Sequence, residues 1–457
     1  MALKRDYGNE QPYTPAGIFK IRLPFIHYKW EWSEALQAIL MCATCLGAIP
    51  ILTETLGVSF EIAWGMVIIN GLLYCMHALL GDPVVPGWIT PSVPLTIGYL
   101  SSFAIGPERI QALIALQIIV GLIFVIMGIT GAAGKLMNIV PNSIKSGILL
   151  GAGFAAIMGE FKVGGRYGTF PIAITIGTIL AYYLLFSEGF RELRKRNKLL
   201  NVLGKYGMLP AIIISIIVGP LAKELPVPKI EIGSIIHIPN MSAIMKTVSP
   251  FGIGFPSAKV FISAIPMGIM AYIIAFGDFI TSEALLNEAD EIRKDEKIDF
   301  NSNRSNLISG FRNIIMSFIT PYVPLCGPLW AAVTAAVSQR YKEGKEAMDS
   351  LFGGVGTFRI VTFICVTLVP IVSLVQPVLP VALSLTLLVQ GYVCTRLAMD
   401  ICVTDLDKGI AGVMGAVLAT RGAAWGLVIG IILHLILNDF KETRKIKVNE
   451  EVTTKVN

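Results

Sequence analysis

Two groups of residues in this chain have types and spacings that could do chemistry. Asp278 lies in Ala-Phe-Gly-Asp-Phe-Ile-Thr-Ser-Glu, within a run apolar enough to cross a bilayer. Ser282 follows one helical turn later on the same face. A carboxylate at membrane depth faces the bundle interior and takes a proton or a cation as partner. With a hydroxyl at i+4 and nearby carbonyls, Asp278 and Ser282 offer hard oxygen ligands to sodium, or a titrating carboxyl to a proton. They are the expected ion-coupling pair. Glu283 stands closer to the end of the segment and is read as an interfacial residue.

The second group is a pattern that occurs twice, Thr90-Pro91-Ser92-Val93-Pro94 and Thr320-Pro321-Tyr322-Val323-Pro324. Each copy falls where a spanning segment belongs. Two prolines remove N–H donors and crowd the preceding turn, so no continuous helix is expected there. Each segment should instead cross as an extended stretch followed by a half-helix. The half-helices would start near the midplane, presenting free N–H groups and positive dipole ends to a polar or anionic ligand. Leu95, Thr96 and Ile97, after Pro94, would supply the donors in one half. Cys326, Gly327, Leu329 and Trp330 would supply them in the other, where Pro328 has no N–H but suits a first turn. Trp88, Tyr322, Trp330 and Phe276 offer rings to a flat substrate. The expected substrate contacts are therefore Pro94, Leu95, Thr96, Phe276, Tyr322, Cys326, Gly327, Leu329 and Trp330.

The elements that must position these residues are transmembrane. Of the 457 residues, 54% are hydrophobic and 15% charged, with mean hydropathy +0.69. Soluble domains carry roughly 25% charged residues. Spans of about 20 residues each are expected in 14 segments. Seven lie near 33–55, 60–80, 88–104, 109–130, 140–160, 169–187 and 207–223. The other seven lie near 257–286, 304–319, 327–341, 357–375, 377–395, 400–418 and 423–438. Segments three and ten are too short to cross as whole helices. With both termini cytoplasmic, roughly 29 of the 37 Lys and Arg fall inside, as the positive-inside rule asks. Seven segments per half force the halves to insert with opposite topology, so the fold expected is an all-α, polytopic 7+7 inverted repeat in the cell membrane.

Other chemistries find little footing. His27, His77, His237 and His434 are scattered, and the Cys42-x-x-Cys45 pair has no second pair, so no metal or redox site is expected beyond a coupling sodium. Neither a phosphate-binding loop nor a nucleophile elbow is present, so the chain is not read as an enzyme. The net charge of +6 sits in loops rather than in one patch, which argues against nucleic acid. Asn70, Gln117 and Gln390 are intramembrane amides suited to bonds between helices. Energy for transport would come from an ion or substrate gradient, with no other cofactor.

At this point the chain resembles the superfamily that unites uracil- and xanthine-type nucleobase permeases with the SulP anion transporters. Over most of its length the resemblance is the seven-plus-seven plan; local motifs are confined to segments eight to ten. Asn306-Leu307-Ile308-Ser309-Gly310-Phe311-Arg312-Asn313 is similar to the SulP ninth-segment pattern. Asp278 with Ser282 resembles the acid-plus-hydroxyl sodium site of sodium-coupled bicarbonate members. Uracil-type permeases place substrate-binding glutamates in segments eight and ten, where this chain has Ile274 and Pro328. SulP proteins usually add a soluble STAS domain, whereas residues 439–457 follow Asn438 here. The chain thus looks like an outlying branch.

The resemblance implies a core domain, 33–133 with 257–375, that holds the site and moves in an elevator-like cycle. It also implies a gate domain, 134–224 with 376–438, through which such proteins often form homodimers. Residues 1–32 and 439–457 would be cytoplasmic, and 225–256 an extracytoplasmic linker. The function expected is secondary transport of a small anion, inorganic or carboxylate, coupled to sodium or protons. The alternatives are a nucleobase symporter, with Asp278 as its polar contact, and a channel or sensor on a transporter fold.

Overall fold

The computed structural model describes residues 3–205 and 208–437; the expected tail, 439–457, lies outside them. In chain order the first helices are α1 (Trp32–Leu46), α2 (Ala48–Leu56), α3 (Phe60–Leu79), α4 (Val93–Leu100) and α5 (Pro107–Thr130). Next come α6 (Ala133–Ile139), α7 (Asn142–Phe161), α8 (Arg166–Thr169), α9 (Pro171–Phe186), α10 (Glu188–Arg196), α11 (Lys198–Lys205) and α12 (Leu209–Leu221). The stretch 225–256 carries two short helices, α13 (Met241–Val248) and α14 (Pro250–Ile253). Then follow α15 (Ala258–Ile292), α16 (Ser302–Ile319), α17 (Ala331–Lys342), α18 (Leu351–Thr367) and α19 (Val369–Val375). The last are α20 (Leu379–Ile401), α21 (Asp405–Arg421) and α22 (Ala423–Leu437). Strands are minor: a hairpin of β1 (Thr14–Ala16) and β2 (Phe19–Ile21), and a pair formed by β3 (Gly87–Trp88) and β4 (Cys326–Gly327).

This is an all-α membrane protein. Among the described residues, five helices are long and apolar enough to cross a bilayer, and seven if each of two bent pairs is one span. Leu209–Leu221, Leu351–Thr367 and Ala423–Leu437 are shorter apolar helices.

The helices pack in two groups. In one, α5 lies against α15 and α16, α18 against α1 and α3, and α17 against α15. In the other, α7 lies against α20 and α21, α9 against α12 and α20, and α21 against α22. Smaller contacts of α4 with α7, α2 with α20 and α15 with α22 join them. In the first group α5 and α16 meet through facing glycines. A Cβ on Gly121 would stand 3.0 Å from the Gly310 carbonyl oxygen, and one on Gly310 2.9 Å from that of Gly121. Small residues allow such backbone contact, the usual adhesive between helices in lipid.

Two boundaries differ from expectation with consequences for the site. The eleventh segment, expected at 357–375, is α18 at 351–367. Ser350 caps its start by accepting from the Gly353 N–H. Pro370 has no N–H to give the Val366 carbonyl and cannot continue the helix, and Leu368 is extended. The eighth segment runs six residues beyond the expected 286, so Glu283 lies within α15. The N-terminal stretch is also folded onto the helices. Arg5 pairs with Asp295 at 2.9 Å and Glu296 at 3.3 Å, and Lys20 with Asp299 at 2.6 Å.

Candidate functional site: a crossing of two extended stretches

β3 and β4 pair antiparallel, Gly87 opposite Gly327 and Trp88 opposite Cys326. The bonding continues beyond the strands: the Ile89 N–H donates to the Leu325 carbonyl (3.0 Å), and the Trp330 N–H to that of Val85 (2.6 Å). Only glycine permits this approach. A Cβ on Gly327 would lie 2.8 Å from the Trp88 carbonyl carbon, and one on Gly87 2.6 Å from the Leu329 oxygen. From the crossing, α4 leaves through a tight turn at Thr90–Ser92, and α17 leaves after Trp330.

The two proline patterns occupy different places in it. β3 precedes Thr90-Pro91-Ser92-Val93-Pro94, whereas β4 follows Thr320-Pro321-Tyr322-Val323-Pro324. The first copy is the start of a helix; the second is the lead-in to a strand. Proline tolerates both settings, because a first helical turn and an extended segment alike leave its missing N–H without penalty. The expectation of matching positions is therefore corrected. The expected donors change too. The Cys326 N–H is bound to Asn313 Oδ1 (3.0 Å) and that of Trp330 to Val85, so neither is free.

Helix α16 holds the crossing in place. Arg312, fully buried, donates to the Gly87 carbonyl (2.9 Å) and the Gly327 carbonyl (3.4 Å). Asn313 grips both polar groups of the Cys326 backbone, since its Nδ2 also donates to the Cys326 carbonyl (2.8 Å). Arg312 further donates to His77 Nε2 (3.1 Å), and His77 Nδ1 lies 2.8 Å from Asp82 Oδ2. Arginine only donates, so Nε2 accepts and the Nδ1–H points to Asp82. Ser305 Oγ donates to the same carboxylate oxygen (2.6 Å). The Arg312 charge is thereby answered by Asp82 across a neutral imidazole.

A second buried arginine has no such answer. Arg359 is the midpoint of α18 and 1% exposed. Its guanidinium carbon lies 4.1 Å from the Tyr74 ring and 5.2 Å from that of Trp330. Tyr74 is shared, with Arg312 4.5 Å from its ring. None of the three Arg359 side-chain nitrogens has a hydrogen-bond partner among the described residues. Its electrostatic neighbours are Cys45, Tyr74, Cys75 and the like-charged Arg312. The Tyr322 hydroxyl, also buried and unbonded, has Tyr74 and Cys45 among its own neighbours, with Asn70 beside it but outside hydrogen-bond geometry.

The other expected residues are distributed as follows. Pro94, Leu95 and Thr96 are buried in α4, and the Thr96 hydroxyl has no partner among the described residues. Cys326, Gly327 and Leu329 are buried in the crossing, Trp330 half-buried at its edge. Phe276 is half-buried on α15, 6.5 Å from Phe279. Asp278 is half-buried without a charged partner among the described residues, and Ser282 Oγ donates to its backbone carbonyl at 2.7 Å, not to its carboxylate. Gln117 and Asn70 reach across to the crossing: Gln117 Oε1 accepts from the Tyr322 N–H (2.9 Å), and Asn70 Oδ1 lies 3.9 Å from Cys326 Sγ. Gln390 bonds Cys394 within its own helix.

Sequence reasoning missed Arg312 and Arg359 as charges at the centre. The signal was an arginine in the middle of segment nine, whose other arginine, Arg304, stands at its start, and the single arginine of segment eleven. Placing the eleventh segment at 357–375 put Arg359 at a segment edge, where an arginine is unremarkable.

No family model matches the sequence, and no curated protein matches it. Among solved structures, the chain is similar to SLC26A9, with TM-score 0.53 and 13% identity, over 89% of this chain and 65% of that one. It thus spans less than two thirds of that protein's length. It is also similar to murine Slc26a9, described as an anion transporter in the inward-facing state (TM-score 0.49, 13% identity, 89% and 67% covered). A third is the transmembrane domain of the bicarbonate transporter BicA of a cyanobacterium (TM-score 0.49, 14% identity, 88% and 96% covered). At these identities the likeness is one of fold, and the fold is that of SLC26A9.

Proposed function

We propose that a chain with this fold is an elevator-type secondary transporter of a small anion, inorganic or carboxylate, in the cell membrane. In this reading the helices form fourteen segments as two inverted halves of seven, with α4 and α17 as the half-helices and both termini cytoplasmic. The group around α5, α15, α16 and α18 is the moving core; the group around α7, α20 and α21 is the gate and the surface of a homodimer. Asp278 and Ser282 supply the coupling to sodium or protons.

The observation that carries the reading is the crossing of β3 and β4. Irregular backbone at membrane depth persists only where it is buried or lines a cavity. Here it is glycine-dependent, held by Arg312 and Asn313, and followed by α4 after one strand and by α17 after the other, so that both helices begin beside it. Helix N-termini favour anions. A buried cation next to the start of α17 adds to that preference and disfavours a neutral nucleobase.

A thermal-shift panel tests this: chloride, bicarbonate, sulfate, uracil and xanthine, each in sodium and in potassium. A ligand at a hundred times its dissociation constant stabilises by about 2.7 kcal/mol. Stabilisation by an anion, larger in sodium, is the expected result. Stabilisation by a nucleobase alone would replace the anion reading with that of a nucleobase symporter.

A further inference from the structure

Buried arginines are expensive unless paired, and removing one partner of a buried pair leaves the other charge uncompensated. Around Tyr74 the inventory is short. Arg312 is answered by Asp82 through His77, and its two terminal nitrogens also reach carbonyls of the crossing, while its Nε–H has no partner among the described residues. Arg359 adds a second positive charge, and among the described residues no carboxylate reaches it by a hydrogen bond. The cluster formed by Arg312, Arg359 and Asp82 therefore carries one net positive charge. Its free donors are the Nε of Arg312, the three nitrogens of Arg359 and the Tyr322 hydroxyl, all buried and, among the described residues, without a partner in hydrogen-bond geometry, although the Cys45 thiol stands beside Arg359 and the Asn70 amide beside Tyr322. Arg359 and Tyr322 share Tyr74 and Cys45 as neighbours, so they belong to one locus, bordered by the Trp330 ring where α17 begins.

We infer that Arg359 and Tyr322 bind the transported anion, and that this anion is monovalent. This rests on the anion-transport reading above and specifies it. The guanidinium lies against the rings of Tyr74 and Trp330 and presents N–H groups in a fixed fork, a geometry that suits a planar or spherical anion. A single negative charge neutralises the cluster, whereas a dianion would leave an excess charge in a low-dielectric site. Asp278 has no charged partner and is not among the neighbours of Arg359, so coupling ion and anion would occupy separate places.

The test uses the full-length protein in detergent and measures stabilisation by chloride, bicarbonate and sulfate for wild type, Arg359→Met, Arg359→Lys and Tyr322→Phe. Wild type should respond to chloride or bicarbonate more than to sulfate. Arg359→Met should lose at least about tenfold in apparent affinity, while Tyr322→Phe should lose about two- to tenfold, the scale of charged and neutral hydrogen bonds respectively. Arg359→Lys should keep part of the response. In anion-free buffer Arg359→Met should melt no lower than wild type, because it removes an unpaired buried charge. A lower melting point there would mark Arg359 as a packing residue and overturn the inference, as would equal anion response in wild type and Arg359→Met. A stronger response to sulfate than to the monovalent anions would overturn the charge assignment. If wild type responds to no anion, the transport reading falls with the inference.

Discussion

At the level of single residues, the distinctive groups are charges that lack partners among the described residues. Asp278 is half-buried with no ion pair, and Ser282 spends its proton on the helix backbone, leaving its lone pairs for a cation. Asp278→Asn should abolish the dependence of uptake on a sodium or proton gradient with the melting temperature nearly unchanged; uptake still driven by the gradient would remove the coupling role. Asp278 was legible from sequence because an acid among apolar residues stands out at any plausible segment boundary. Arg359 was not legible, because its meaning depends on whether α18 starts at 351 or 357, and that is decided by the Ser350 cap and Pro370. Gly327 was legible as important but for another reason. The sequence points to it as an N–H donor, whereas the structure shows its missing Cβ making room for the Trp88–Ile89 backbone. Gly327→Val should therefore destabilise by about 1–3 kcal/mol, as overpacking does. Chemical denaturation would read this, and an unchanged midpoint would mean the crossing is looser than described.

At the element scale, the interrupted segments were legible because proline cannot continue a helix, yet their registers were not. Two pentapeptides that differ only at Ser92 and Tyr322 part ways, the first starting α4 and the second leading into β4. The folded N-terminal stretch was also invisible to hydropathy, since what holds it is a set of ion pairs to the loop after α15. That loop gives a pH prediction. Burial pushes the Glu296 carboxyl up to about 7 despite Arg5 beside it, with Arg293 and Tyr341 also facing it. Asp295 is held down to about 2 by Arg293. A carboxyl whose pKa is raised in the folded state binds its proton more tightly there. Glu296 therefore weakens docking as pH rises from about 4.5 to about 7, and Asp295 contributes stability that is lost only in strong acid. His27, lowered by burial, acts in the opposite sense across its own range. Comparison with Glu296→Gln isolates the Glu296 effect. The variant should resist proteolysis of residues 3–31 increasingly better than wild type as pH rises from 5 to 7.5. A difference that does not grow with pH would contradict the assignment.

At the scale of the whole molecule, composition alone fixed the membrane class, and the solved structures add the fold. The two packing groups, joined by limited contacts of α4 with α7, α2 with α20 and α15 with α22, support an elevator in which the crossing travels with the core. What sequence could not supply was the charge balance at the centre, because it depends on which side chains from α3, α16 and α18 meet. The most direct test of the central claim is uptake of radiolabelled chloride and of bicarbonate into proteoliposomes, under an imposed sodium or proton gradient. Gradient-driven uptake of one of them that saturates with concentration is the predicted result. Flux that neither saturates nor follows the gradient, or no flux in protein shown to be folded, would contradict it.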